Sequence, residues 1–281
     1  MRPRHLLGGF GIAAVLGGVW VIPSLAADQA GAAQEQTSRI IAAQDGMAAA
    51  TGRTDRLRTS ASPEVAIDRL RLDLQIGNSE FAYRDAARNE QVVVYSLAAD
   101  PTLEQEVLNR LPASRRTGLP EAVEGVRSIL RLAGITDFSR ARVRRTRRFL
   151  DAEPVDALLV YYRAAGRRTG IDWAYLAAIN YIETGFGRTN GPSSAGALGP
   201  MQFLPETWQQ YGAGGDIMSP HDSIEAAATF LRRNGAPADY DRAVLHYNRD
   251  QDYVAAVRNL AAAIRGDPSW LNRLYCWNTF G

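Results

Sequence analysis

From residue 100 onward the apolar positions recur mostly at three- and four-residue spacings, the period of helices with one buried face. Asp100 before Pro101 predicts a helix start, and Leu103, Val107, Leu108 and Leu111 then share a face. Pro120 to Ala133 repeats the pattern with Val123, Val126, Ile129 and Leu130, and Gly134 stops it. Val92 to Tyr95 has the composition of a strand, yet it lies in a longer segment bearing Ala, Arg and Glu, and reads as buried helix. Val155 to Arg167 is amphipathic through Leu158, Leu159 and Tyr162. Asp172 caps a helix carrying Trp173, Leu176, Ile179 and Glu183, which ends at Gly185. A loop rich in Gly, Ser, Asn and Pro follows to Pro200. Pro205 opens a short helix that stops before Gly212, and Ser219-Pro220 starts another that reaches Asn234. Asp239 and Asp250 precede two more, and Gly266 follows the last. Strand patterns are almost absent, so the expected fold class is all-α.

The beginning of the chain follows a different rule. Arg2 and Arg4 precede an uncharged apolar run from Leu6 to Ile22, then Pro23 and small residues suited to cleavage after Ala26. This is the pattern of a secretory signal peptide. The run is also long enough to serve as an uncleaved membrane anchor. Both readings place the rest of the chain outside the cytoplasm. Residues 27–62, rich in Ala, Gln, Thr, Ser and Gly, read as a linker.

Composition narrows the function. A net charge of +2 excludes a global basic field for nucleic acid. Residues 140–148 hold six Arg, best read as a solvated helix face, with contact to anionic wall polymers or headgroups as the functional alternative. Cys276 is the one cysteine, so no internal disulfide is available to an exported chain. His5, His221 and His246 have no zinc spacing, and neither a Gly-x-Ser-x-Gly elbow nor a phosphate-cradling loop occurs. No metal or cofactor is implied.

Glu183 carries the most specific chemistry. It shares a face with Leu176 and Ile179, so its carboxyl is drawn toward apolar surroundings at a helix end. Lost hydration raises a carboxyl pKa, and a raised pKa suits a general acid near neutrality. Three ordered segments surround it: Glu183-Thr184, then Gly199-Pro200-Met201-Gln202 within the Gly-rich loop, then His246-Tyr247-Asn248.

Together these resemble the soluble lytic murein transglycosylases of the lysozyme superfamily over roughly residues 155 to 265, whose hallmarks are Glu-Ser, Gly-Leu-Met-Gln and Ala-Tyr-Asn. Thr184, Pro200 and His246 depart from that pattern. The resemblance implies a lysozyme-like catalytic domain acting on peptidoglycan glycan strands, with Glu183 as the single acid and then base. It implies that Tyr247 hydrogen-bonds the carboxyl and that Thr184 supports the same helix end. Ser193, Gly196, Met201, Gln202 and Phe203 would line the glycan cleft, and Asn248 would fix the end of the helix after Tyr247. The expected organisation is 1–26 signal peptide or anchor, 27–62 linker, 63–150 helical scaffold, 151–266 catalytic domain and 267–281 aromatic tail. Two rival readings remain: a lysozyme-type hydrolase using Asp216, Asp222 or Glu206 as a second carboxylate, and a glycan-binding module without turnover.

Overall fold

The computed structural model describes residues 15–16, 19–20, 62–72, 80–135, 151–189 and 191–277. The readings of the linker up to residue 61, the six-arginine segment, the last residues of the aromatic tail and most of the first 26 residues fall outside them. Val15–Leu16 and Val19–Trp20 form two short strands, β1 and β2, paired antiparallel. The other regular elements among the described residues are helical, in keeping with the expected class. None of these helices is long and apolar enough to cross a membrane.

The first group of helices is α1 (Pro63–Leu72), α2 (Glu80–Ala99), α3 (Pro101–Arg110) and α4 (Leu119–Leu132), with a 3-10 turn at Ala113–Arg115. The second is α5 (Val155–Thr169), α6 (Trp173–Thr184), α7 (Pro205–Tyr211), α8 (Pro220–Arg233), α9 (Tyr240–Tyr247), α10 (Gln251–Gly266) and α11 (Ser269–Trp277). Their starts follow from side-chain caps that satisfy otherwise orphaned amide donors. Asp100 accepts from Thr102 and Leu103 at 2.9 and 3.0 Å. Asp172 accepts from Ala174 at 3.0 Å, Asp239 from Arg242 at 2.9 Å and Asp250 from Asp252 at 2.7 Å. The strand-like Val93, Val94 and Tyr95 lie buried inside α2, as the length of that segment requires.

One helix was not anticipated. The aromatic segment after Gly266 forms α11, capped where Ser269 N–H donates to Asp267 at 3.0 Å, with Trp270 and Trp277 fully buried. Trp270, Leu271, Leu274 and Trp277 recur at helical spacing and together form its buried face.

The core runs through both groups. α10 lies along α4 and α6, while α11 reaches back to α2. α6 is the central rod: within it only Trp173 and Glu183 are not buried. A helix buried nearly all round has no polar stripe to spare, so Glu183 marks where the core opens.

Candidate active site

Glu183 occupies the last turn of α6 and is half-buried. Gly185, at φ 59°, ends the helix in the left-handed conformation that a Cβ disfavours. Burial pushes the Glu183 carboxyl up to about 7, against a smaller downward pull from the Tyr253 hydroxyl. That hydroxyl lies 2.5 Å from Oε1, reaching across from the first turn of α10. Among the described residues, no carboxylate contributes to the shift. Asp216 and Glu206 are exposed. Asp222 is held low mainly by the Asp216 backbone N–H and by His221, and serves the start of α8.

The loop after α6 is folded back by main-chain geometry. Leu198 and Phe203 exchange both backbone hydrogen bonds, at 2.8 and 2.9 Å, around the turn Gly199-Pro200-Met201-Gln202. Gly199 is required there: its φ is 74°, and a Cβ would overlap the Ile217 carbonyl. Gln202 takes φ 49°, rare for a residue with a side chain, and its amide donates to the Gly199 carbonyl at 3.0 Å.

Two buried backbone carbonyls in the middle of this turn are clamped by the neighbouring helices. The Pro200 carbonyl accepts from Thr184 Oγ1 at 2.6 Å and from Asn180 Nδ2 at 2.8 Å, both on α6. Tyr162 on α5 donates to Asn180 Oδ1 at 2.6 Å and so orients that amide. The Met201 carbonyl accepts from the Tyr247 hydroxyl at 2.6 Å, on α9. The three sequence segments therefore meet through two backbone carbonyls.

This geometry corrects several expectations. The bond to Glu183 assigned to Tyr247 is made by Tyr253. Tyr247 spends its hydroxyl on Met201, although burial first and then the nearby Glu183 carboxylate hold its pKa well above the usual phenol value. Met201 has no exposed surface and Phe203 only 2 %. Met201 is core, and Phe203 packs edge-on against Trp208, Phe230 and Tyr247, so neither side chain offers itself to a ligand. Thr184 is fully buried and acts on the loop rather than on solvent. Ser193 accepts from the Ala195 and Ala197 amides and closes its own turn, while Gly196 sits in that turn at φ 81°. Gln202 stays half-exposed. Asn248 is buried and caps α9 through its backbone N–H to Val244.

Tyr253 escaped notice because it reads as one member of the apolar stripe Tyr253, Val257, Leu260, Ile264. The available signal was chemical: a tyrosine on a wholly buried stripe needs a partner for its hydroxyl. Against the same loop opens a cleft of about 380 Å³, lined among others by Glu153, Gly187, Gly191, Pro200, Met218 and Pro220. Glu183 is not among its lining residues, so carboxyl and cleft meet the loop at different points.

Glu183 is thus a half-buried carboxyl with a neutral donor, beside a loop pinned to a helical core. Residues 160–259 match the family model of the transglycosylase SLT domain, so the resemblance carried by the three motifs holds over this part of the chain. Among curated proteins, the chain is 34% identical over 119 residues to the membrane-bound lytic murein transglycosylase F of Thiobacillus denitrificans. That similarity covers 39% of this chain and 25% of the relative, so the chain spans about a quarter of the relative's length. No solved structure matches.

Proposed function

We propose that this chain is an exported peptidoglycan lytic transglycosylase that acts in the cell envelope and uses Glu183 as its only catalytic carboxyl. The observation that carries the reading is the Glu183 environment: a carboxyl raised to about 7 by burial, with one neutral hydrogen-bond donor and, among the described residues, no carboxylate partner. Hydrolysis of a glycosidic bond normally employs two carboxylates, one of them to handle water or the sugar. A single group suffices when the substrate supplies its own nucleophile.

The steps follow from that economy. Protonated near neutrality, Glu183 gives its proton to the oxygen between N-acetylmuramic acid and N-acetylglucosamine as the C1–O bond breaks. The carboxylate left behind takes the proton of the muramic 6-hydroxyl while that oxygen bonds to C1. The products are a 1,6-anhydromuramic end and a free N-acetylglucosamine hydroxyl; the proton returns to Glu183 and no water is consumed. Tyr253 holds the carboxyl in orientation through both steps. The glycan lies along the Gly-rich loop, where Gln202 and the turn around Ser193 and Gly196 present backbone and amide groups.

The test incubates the chain and its Glu183→Gln form with purified sacculi and analyses the soluble fragments by mass spectrometry. Anhydromuropeptides from the unaltered chain alone are the expected result. Reducing muramic ends would move the chain to the hydrolases. Binding without release from either form would make it a glycan-binding module.

A further inference from the structure

At the other end of α10 from Tyr253 lies a second cavity of about 210 Å³. The run of α10 between Tyr253 and Asp267 puts it on the order of 20 Å from the Glu183 site. Its walls come from α1, α2, the Ala113–Arg115 turn, the start of α4 and α11, and its charged lining is Glu90, Arg115, Asp267 and Arg273, with hydroxyls from Ser114 and Ser269.

The two arginines differ. Arg273 is fully engaged: one nitrogen lies 3.2 Å from Glu90 and another 3.9 Å from Asp267, and its guanidinium sits 4.6 Å over the Trp270 ring. Arg115 has a buried terminal nitrogen, Nη1, with no hydrogen-bond partner, and among the described residues no ion pair joins it to a carboxylate. A desolvated guanidinium donor left unanswered is costly, and such groups in folded proteins usually mark a missing acceptor. At the opposite side Glu90 is only 5 % exposed, and burial outweighs the pull of Arg273 and holds its carboxyl above the usual range. The cavity therefore has, among the described residues, a cation without a carboxylate at one side and, at the other, two carboxylates, Glu90 and Asp267, that share Arg273.

We propose that this cavity binds a small amino-acid-like zwitterion, its carboxylate on Arg115 and its ammonium between Glu90 and Asp267. An anion alone would face both carboxylates, and a cation alone would leave Arg115 unanswered. The planar guanidinium fork matches a carboxylate, which it can bind with two parallel hydrogen bonds. The volume falls below the roughly 300–1,000 Å³ of pockets for drug-sized ligands, which sets the ligand at the size of a free amino acid or dipeptide. Occupancy would tie the helices before residue 135 to α11. The proposal does not depend on the catalytic reading, since neither its residues nor its test involve Glu183.

Thermal unfolding and calorimetric titration of the full chain with glycine, diglycine, acetate and methylammonium at millimolar concentration test it. Glycine or diglycine should raise the melting temperature in a dose-dependent way, because a ligand that binds only the folded state stabilises it. Arg115→Met, which removes no ion pair of the folded chain, should weaken that binding at least about tenfold. Glu90→Gln should weaken the zwitterion and leave acetate unaffected. Failure of both zwitterions to bind, acetate binding as tightly as either, or binding unchanged in Arg115→Met would each overturn the proposal.

Discussion

Glu183 and Glu90 are both carboxyls that burial lifts above their ordinary range, and they meet different neighbours. Glu183 ends α6, stays half-exposed, and accepts one bond from the neutral Tyr253 hydroxyl. Glu90 lies within α2, is almost wholly covered, and is held by the Arg273 guanidinium. A neutral donor stabilises the carboxylate only modestly, so the Glu183 proton leaves and returns near neutrality. A charged partner at 3.2 Å makes the carboxyl part of a structural pair whose disruption strands a charge. Burial alone does not make an acid catalyst; access and the charge of the partner decide what a raised carboxyl does.

The contrast can be broken most sharply at Glu183. Glu183→Gln should lower release of anhydromuropeptides by roughly 10³–10⁴-fold, since in the proposed mechanism one group performs both proton transfers, while the fold survives; this is read by fragment analysis beside circular dichroism. At the other carboxyl the expected effect is on stability. Arg273→Met should destabilise the chain by about 3–5 kcal/mol in urea unfolding, because it leaves Glu90 buried without its cation. Adding Glu90→Gln should restore part of the loss.

The pH dependence of stability separates the two further. The folded-state pKa of Glu183, about 7, lies above its ordinary value of 4.5, so the folded state holds the proton more tightly. That contribution is fully present below pH 4.5 and is lost as pH rises through 7. Its loss is worth up to about 3 kcal/mol. Glu183→Gln lacks this dependence, so it should match the unaltered chain at low pH and exceed it in melting temperature at pH 8. Equal melting temperatures at both pH values would remove the burial argument.

The smallest effect is expected at Tyr253. Its hydroxyl favours the carboxylate, so Tyr253→Phe should raise the Glu183 pKa and move the high-pH fall in activity upward, with a maximal rate about tenfold lower. An unshifted limb would mean that Tyr253 only packs.

Much of the helical framework was legible in the chain because its signals are local. Asp100, Asp172, Asp239 and Asp250 cap the helices that they were read to start, and the three- and four-residue spacings named the buried faces. The last helix was missed although Trp270, Leu271, Leu274 and Trp277 stand at helical spacing, because nine residues are a short window and their aromatics have the look of a tail. At the site, Glu183 was legible from its place beside Leu176 and Ile179 and from the order of three motifs. Met201 and Phe203 were drawn toward the cleft by their motif, and packing turned them inward. A motif records which positions are constrained without saying whether a ligand or the core constrains them.

The sequence by itself determined the helical class, the helix starts and the carboxyl of the candidate site, since caps, periodicity and residue identity act over a few neighbours. Only the tertiary structure decided that Tyr253 holds the carboxyl, that Pro200 and Met201 are fixed through their carbonyls, and that Arg115 and Glu90 share one cavity. Those pairings join residues far apart in the chain, and a hydrogen bond or an unanswered charge depends on which surfaces the whole core brings together.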